Sequence, residues 1–220
     1  MLTLLTVSAV AGGCSAGSDA SDESVGARLA AAKQSFDAAK YIGFQLSSRD
    51  LPSDVDALES AAGTGTHAPA FTGDIEVQRG LSLSAPIVAV DGVVYAKLPF
   101  VSWSQIDPAD YGAPDPAALM DRSTGLSSLL TRTEDAEVEG SQRDGSTVLT
   151  TVTGSLPGAS VHALFPSAAE TPFHVEYLLT DDDVLHSVSM TGPFYGDHGD
   201  GTYAIEFDLA ADPVDISAPH

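Results

Sequence analysis

Leu81-Ser-Leu-Ser-Ala-Pro-Ile-Val-Ala-Val90-Asp91-Gly92-Val-Val-Tyr-Ala-Lys97 holds two Val-rich runs joined by Asp-Gly. Both central positions of a tight hairpin turn need positive φ, which Asp and Gly tolerate, so the stretch reads as two antiparallel strands. The same grammar extends outward. Residues 42–46 and 71–78 are short apolar or alternating runs upstream of it, and a second pair, Asp144-Gly145, joins residues 136–143 to 146–156. Downstream, Phe173, Val175, Tyr177 and Leu179 alternate with mostly polar neighbours, as do Val184, His186, Val188 and Met190, then Tyr203, Ile205, Phe207 and Leu209. Each of these runs has one apolar face. The connections at 181–183 and 196–201 are hairpin-sized, which makes neighbouring strands antiparallel. Residues 49–66, rich in Gly, Asp and Ala, read as a loop at the sheet edge.

The spacing changes elsewhere. Val25, Leu29, Ala32, Phe36 and Ala39 recur every three or four residues, which predicts an amphipathic helix over residues 25–40. Asp115-Pro116 opens a helical turn through Met120, Leu126, Leu129 and Leu130 give a second apolar stripe, and residues 157–164 suit a third short helix. Helices gathered on one face of a large antiparallel sheet make an α+β fold with an apolar layer between them. Alternation alone does not say whether that layer is filled or open.

Length and charge bound the function. A chain of 220 residues suits one domain with a real core. Nine Lys and Arg stand against thirty-one Asp and Glu, a formal net charge of -22. No basic stripe is present, which excludes a nucleic-acid partner. The same acidity opposes general adsorption to an anionic bilayer, so membrane attachment must come from a stronger device.

That device is at the start. Residues 2–13 form an uncharged run of apolar and small residues, too short to span a bilayer but of the length of a secretory h-region. It ends Ala11-Gly12-Gly13 before Cys14, the sole cysteine, and resembles a bacterial lipobox. Acylation of Cys14 would give the several buried chains that stable anchoring requires. The run departs from the usual pattern in carrying Ala11 three positions before the cysteine and in having no Lys or Arg ahead of Leu2, which suggests a truncated start. The expected organisation is a lipoprotein signal peptide at 1–13, a lipidated cysteine and flexible tether at 14–24, and one lipid-binding domain at 25–220. Residues 13–17 also satisfy Gly-x-Ser-x-Gly, but they lie between a signal and a polar tether, where no strand and helix can hold a nucleophile strained.

The ordered run Val90-Asp91-Gly92-Val93-Val94-Tyr95-Ala96, Trp103-Ser104, Asp115-Pro116, Thr124-Gly125-Leu126, Glu139-Gly140 and Thr153-Gly154 resembles the mycobacterial-type LppX/LprAFG lipoprotein family over residues 25–216. The resemblance implies a half-barrel of antiparallel strands around helices, with an apolar cavity for acyl chains. It implies carriage of acylated lipids or glycolipids from inner to outer membrane, in some members with a major-facilitator-type transporter. It sets Ile75 near the cavity mouth. Pattern adds Val77, Leu83, Val88, Val90, Leu126, Leu130, Val175, Tyr177, Val188, Met190 and Phe207 as candidate lining, although an apolar residue on an inner face is more often plain core. The acidity favours a neutral glycolipid head over an anionic one.

Two other classes compete. An envelope hydrolase would need chemistry that the six histidines do not supply: there is no His-Glu-x-x-His and no close ligand pair. His186 shares inward parity with Val184 and Val188, as a hydrogen-bonded core histidine would. The Asp181-Asp182-Asp183 and Asp197–Asp200 turns lack calcium-loop spacing and read as solvated carboxylates. No catalytic residue, metal or cofactor is expected. A scaffold lipoprotein, supporting a transporter or the cell wall with a filled interior, would show the same alternation as a carrier.

Overall fold

The computed structural model describes residues 18–98 and 100–219. The signal segment, Cys14 and the first tether residues lie outside them. The chain opens with helix α1 (Ser18–Ala38) and then runs through six strands: β1 (Ile42–Arg49), β2 (Ala57–Thr66), β3 (Ala70–Arg79), β4 (Leu81–Val90), β5 (Val93–Lys97) and β6 (Trp103–Ile106). A long connection follows, with 3-10 turns at Pro108–Tyr111 and Ala118–Met120 and one turn of helix, α2 (Ser127–Leu130). The second half comprises β7 (Glu134–Asp144), β8 (Thr147–Leu156), the short helix α3 (Gly158–His162), β9 (Phe173–Thr180), β10 (Leu185–Gly192) and β11 (Gly201–Asp208).

These strands form one antiparallel sheet in the order β6-β5-β4-β3-β2-β1-β11-β10-β9-β8-β7. Each half is a meander of hairpins, and the two meanders meet where the first strand pairs with the last, from Gly43 opposite Asp208 to Arg49 opposite Thr202. The sheet curves into a half-barrel. Its concave face carries Phe44, Leu46, Ile205, Val188, Val175 and Tyr177, all buried. α1 lies against that face through Val25, Leu29, Ala32 and Phe36, with the Phe36 ring edge-on to Phe207 at 5.1 Å. The helix starts at Ser18, so its backbone includes most of the stretch read as tether.

The Asp91-Gly92 turn forms as expected, with φ of 54° and 74° between the paired residues Val90 and Val93. The second hairpin turns one residue later than its Asp-Gly pair suggests. Asp144 pairs with Thr147, so Gly145 and Ser146 are the central residues, with Gly145 at positive φ.

Residues 57–66, expected as an edge loop, are instead β2, an interior strand between β1 and β3. Its composition reflects close approach rather than disorder. A Cβ on Gly73 would lie 2.1 Å from the Ala62 carbonyl, and one on Gly65 would lie 2.5 Å from Met120 Cγ. Glycine inside a strand marks such contacts. His186 is corrected too. A bulge between Leu185 and Ser187 turns Leu185 inward and leaves His186 part-exposed, with Nε2 3.8 Å from Asp144 Oδ2.

The connection from β6 to β7 crosses the open side of the concave face as a strap, and a buried tyrosine pair fastens it. The Tyr195 hydroxyl accepts from Leu58 N–H at 3.2 Å and lies 3.1 Å from the Gly112 carbonyl and 2.6 Å from the Tyr203 hydroxyl. Tyr203 donates to the Leu58 carbonyl at 2.8 Å. Burial pushes both phenols above their ordinary pKa, so the clamp stays neutral across physiological pH. At the strap's far end, backbone N–H groups of Thr124 and Ser123 hold the Asp121 carboxyl below its usual pKa.

Two expectations follow. Tyr195→Phe leaves buried polar groups without a partner and should cost about 1–3 kcal/mol; an unchanged thermal midpoint would show that the hydroxyl does not anchor the strap. Gly73→Ala, which meets main chain, should destabilise by roughly 1–3 kcal/mol or more, and by more than Gly65→Ala, where the flexible Met120 can yield. Denaturant titration of the two variants gives the order.

Candidate functional site

The two halves of the concave face are covered differently. Over β7–β11 the space is filled by α1, α2 and α3 and by aromatic rings: Phe194 lies edge-on to Phe173 at 4.8 Å and to Tyr203 at 4.7 Å. Beyond the α1 contacts at the β1–β11 seam, the strap covers β2–β5, and beneath it is a cavity of about 190 Å³. Phe44, Leu58, Ile75, Val77, Ile87 and Val94 form its floor; Leu98, Ile106 and the strap residues Pro108, Tyr111, Pro114 and Leu119 form its wall. Leu83 stands at its mouth with Ser82 and Ser84, 45% exposed although it lines the cavity.

Local sequence explains the hollow. Ala61, Ala85, Ala96 and Ala113 present methyl groups where neighbouring positions carry larger side chains, so facing surfaces do not meet. The strap contributes Pro108, Pro114 and Pro116, which have no N–H, so this wall carries fewer donors needing partners. Among the described residues, no charged residue lines the cavity, and the polar residues that border it are Ser82, Ser84 and Tyr111. Such a surface offers hydrocarbon a place away from water.

Ile75, Val77 and Leu83 line this cavity. The other positions chosen by pattern lie elsewhere. Val88 and Val90 are even-numbered on β4, whereas Ala85 and Ile87 face inward, so they point to the convex side; Val90 borders a shallow hollow with Tyr41 and Val214. Leu126, Leu130, Val175, Tyr177, Val188 and Met190 are buried in the filled half, where they pack against helices and neighbouring strands. Tyr177 is fully enclosed, with its hydroxyl 2.9 Å from Thr133 Oγ1, and burial raises its pKa well above the ordinary phenol value. Phe207 stands one ring behind the lining, 6.2 Å from Phe44. Sequence reading missed the strap and the β2 residues Leu58 and Ala61. Three prolines within nine residues, 108 to 116, were the available signal for an extended covering segment.

Besides His186, three more of the six histidines have structural partners. His67 approaches the carbonyls of Met120 and Phe36, His162 that of Ala168, and His198 lies 3.4 Å from Asp54. Asp183 receives Arg28 at 2.5 Å. Among the described residues, no three His, Cys, Asp or Glu side chains stand together as a metal site, and no helix is long and apolar enough to cross a membrane.

The fold matches solved structures. The crystal structure of LprF from Mycobacterium bovis aligns with a TM-score of 0.72 at 14% identity, covering 90% of this chain and 97% of that one. LppX from Mycobacterium tuberculosis aligns with a TM-score of 0.66 at 18% identity, covering 90% and 100%. At these identities the likeness establishes the fold. In sequence, the lipoarabinomannan carrier protein LprG of Mycobacterium tuberculosis is 30% identical over 112 residues, 50% of this chain and 47% of that protein. The chain thus matches about half the length of this curated relative. The family model for LppX_LprAFG lipoproteins matches residues 26–216, nearly the whole described domain, and the chain belongs to that family.

Proposed function

We propose that this chain is a non-catalytic cell-envelope lipoprotein, held to the outer face of the cell membrane through Cys14. Its role is to take the acyl chains of a lipid or glycolipid into the strap-covered cavity and carry them between the inner and outer membranes. The observation that carries this reading is the cavity's lining: aliphatic side chains and ring faces, with no charged side chain among the described residues. Burying hydrocarbon there is worth roughly 0.8 kcal/mol per methylene, so affinity needs no polar recognition. The name of LprG as a lipoarabinomannan carrier points the same way. Ile75, Val77 and Leu83 are the proposed contacts, together with Phe44, Leu58 and Ile87.

Volume sets a condition on the cargo. At about 190 Å³ the cavity lies between the roughly 150 Å³ that admits one benzene ring and the roughly 300–1,000 Å³ of ordinary ligand sites. The closed form therefore takes part of one chain. A cargo with several chains requires the strap to move off β1–β5, which it can do without disturbing any strand pairing of the filled half. A partner such as a major-facilitator-type transporter would act on the loaded form.

Native mass spectrometry with lipid extraction tests the reading on full-length chain carrying Cys14→Ser, made in a mycobacterial host. Acyl lipid should co-purify with it. Ile75→Trp, which fills the cavity, should abolish that lipid, whereas Val90→Trp on the convex side should leave it in place. A clean unliganded mass in a cooperatively folded protein would overturn the carrier and favour a scaffold. With Cys14 intact, the membrane fraction should contain the chain bearing an acyl modification; its full release by a salt wash would remove the anchor from the proposal.

A further inference from the structure

Five large apolar side chains are exposed among the described residues, and four of them line the cavity or lie within three residues of one that does: Leu81 at 77%, Leu83 at 45%, Phe100 at 108% and Val101 at 55%. Leu81 and Leu83 begin β4, while Phe100 and Val101 lie between β5 and β6. The β4–β5 pairs run from Val90–Val93 to Ile87–Ala96; beyond them the Leu98 carbonyl accepts from the Val101 N–H at 3.2 Å, in the turn that carries Phe100 and Val101. Ala85, Leu98 and Leu83 all line the cavity. Phe100 also holds a φ of +64°, a conformation that costs free energy for a bulky residue and that Gly, Asn or Asp would adopt more readily.

Charge singles out the same place. Residues 77–106 contain one acid, Asp91, in a chain that has thirty-one, and Asp91 sits in the β4–β5 turn at the opposite end of that hairpin. The two cations of this stretch are Arg79 and Lys97. Arg79 is held at the strap by Asp56 at 3.4 Å and by the Tyr111 ring at 5.0 Å; Lys97 is exposed and pairs in register with Trp103. Acids stand beside this stretch on the other face of the sheet, where Glu76 pairs with Ser84 and Asp50 and Glu59 border a hollow with Ser82, so repulsion from an anionic bilayer is weakest at the lip itself.

We propose that the lip formed by Leu81, Leu83, Phe100 and Val101 is a membrane-docking surface, which inserts among the head groups of a bilayer containing anionic phospholipid and sets the cavity mouth against its hydrocarbon. This rests on the carrier reading, and it supplies what that reading lacks. Every methylene that crosses water between bilayer and cavity lowers the population in transit roughly fourfold. A lip seated in the bilayer removes that gap. The four side chains project from two adjacent segments without forming a groove, which suits insertion into lipid better than reception of a folded partner. Lys97, beside the lip, contributes attraction to anionic head groups.

Trp103, the single tryptophan, reports this surface alone. Full-length chain carrying Cys14→Ser is mixed with vesicles of phosphatidylcholine and phosphatidylglycerol whose acyl chains are brominated. Trp103 emission should shift to the blue and be quenched, less so with phosphatidylcholine alone. Phe100→Asp combined with Val101→Asp should weaken that quenching by roughly a hundredfold in vesicle concentration. Asp suits the positive φ at position 100, so folding is preserved, and uptake of cis-parinaric acid checks the cavity. Uptake without quenching of the native chain would overturn docking alone. Equal quenching of native and doubly substituted chains would overturn it as well, because another surface would then be responsible. Quenching that depends on Phe100 and Val101, in a chain that takes up no parinaric acid, would uphold docking and overturn the carrier.

Discussion

The pairing of β1 with β11 holds the architecture together. Each meander is local, built from neighbouring strands and short turns, but the concave face exists only because residues 43–49 lie beside residues 202–208. Phe44 and Phe207 face each other across this seam, and α1 packs over it through Phe36. Filled and hollow halves thus share one boundary. Bringing the chain's two ends together is entropically slow to achieve, so the seam should form late, after the hairpins on either side.

From that seam outward, the division of the interior follows from how much covering material the chain supplies. A helix of twenty-one residues cannot span eleven strands. α1, α2, α3 and the Phe165–Phe194–Tyr203 cluster cover one side with packed side chains. The other side is left to a strap that carries three prolines and is pinned at several points, by the Tyr195 hydroxyl to the Gly112 carbonyl, His67 to the Met120 carbonyl, Arg79 to the Asp110 carbonyl, and Arg122 and Ser127 to Asp37. The hollow half is thus covered by a single segment of chain.

Much of this was legible in sequence because strands with one buried face advertise it. Phe173 to Leu179 and Tyr203 to Leu209 alternate, and the Asp91-Gly92 turn names its own geometry. What failed did so for physical reasons. β2 has few large side chains because glycine and alanine let its neighbours approach, so its composition resembled a loop. The bulge before Ser187 reversed the parity that seemed to aim His186 inward. Cavity lining was the least legible feature. Val175 and Ile75 obey the same period on the same face, and only what lies opposite them, helix for one and strap for the other, separates core from lining.

The hollow should also make the protein sensitive to pressure. Unfolding eliminates internal void volume, and hydrostatic pressure favours whichever state occupies less space. With about 190 Å³ under the strap, the empty molecule is the species that pressure should unfold, and from the cavity side first. Hydrocarbon in that space removes the void and with it most of the volume change. In the proposed carrier, cargo would complete the fold: hydrocarbon fills the space that the chain's own side chains leave beneath the strap.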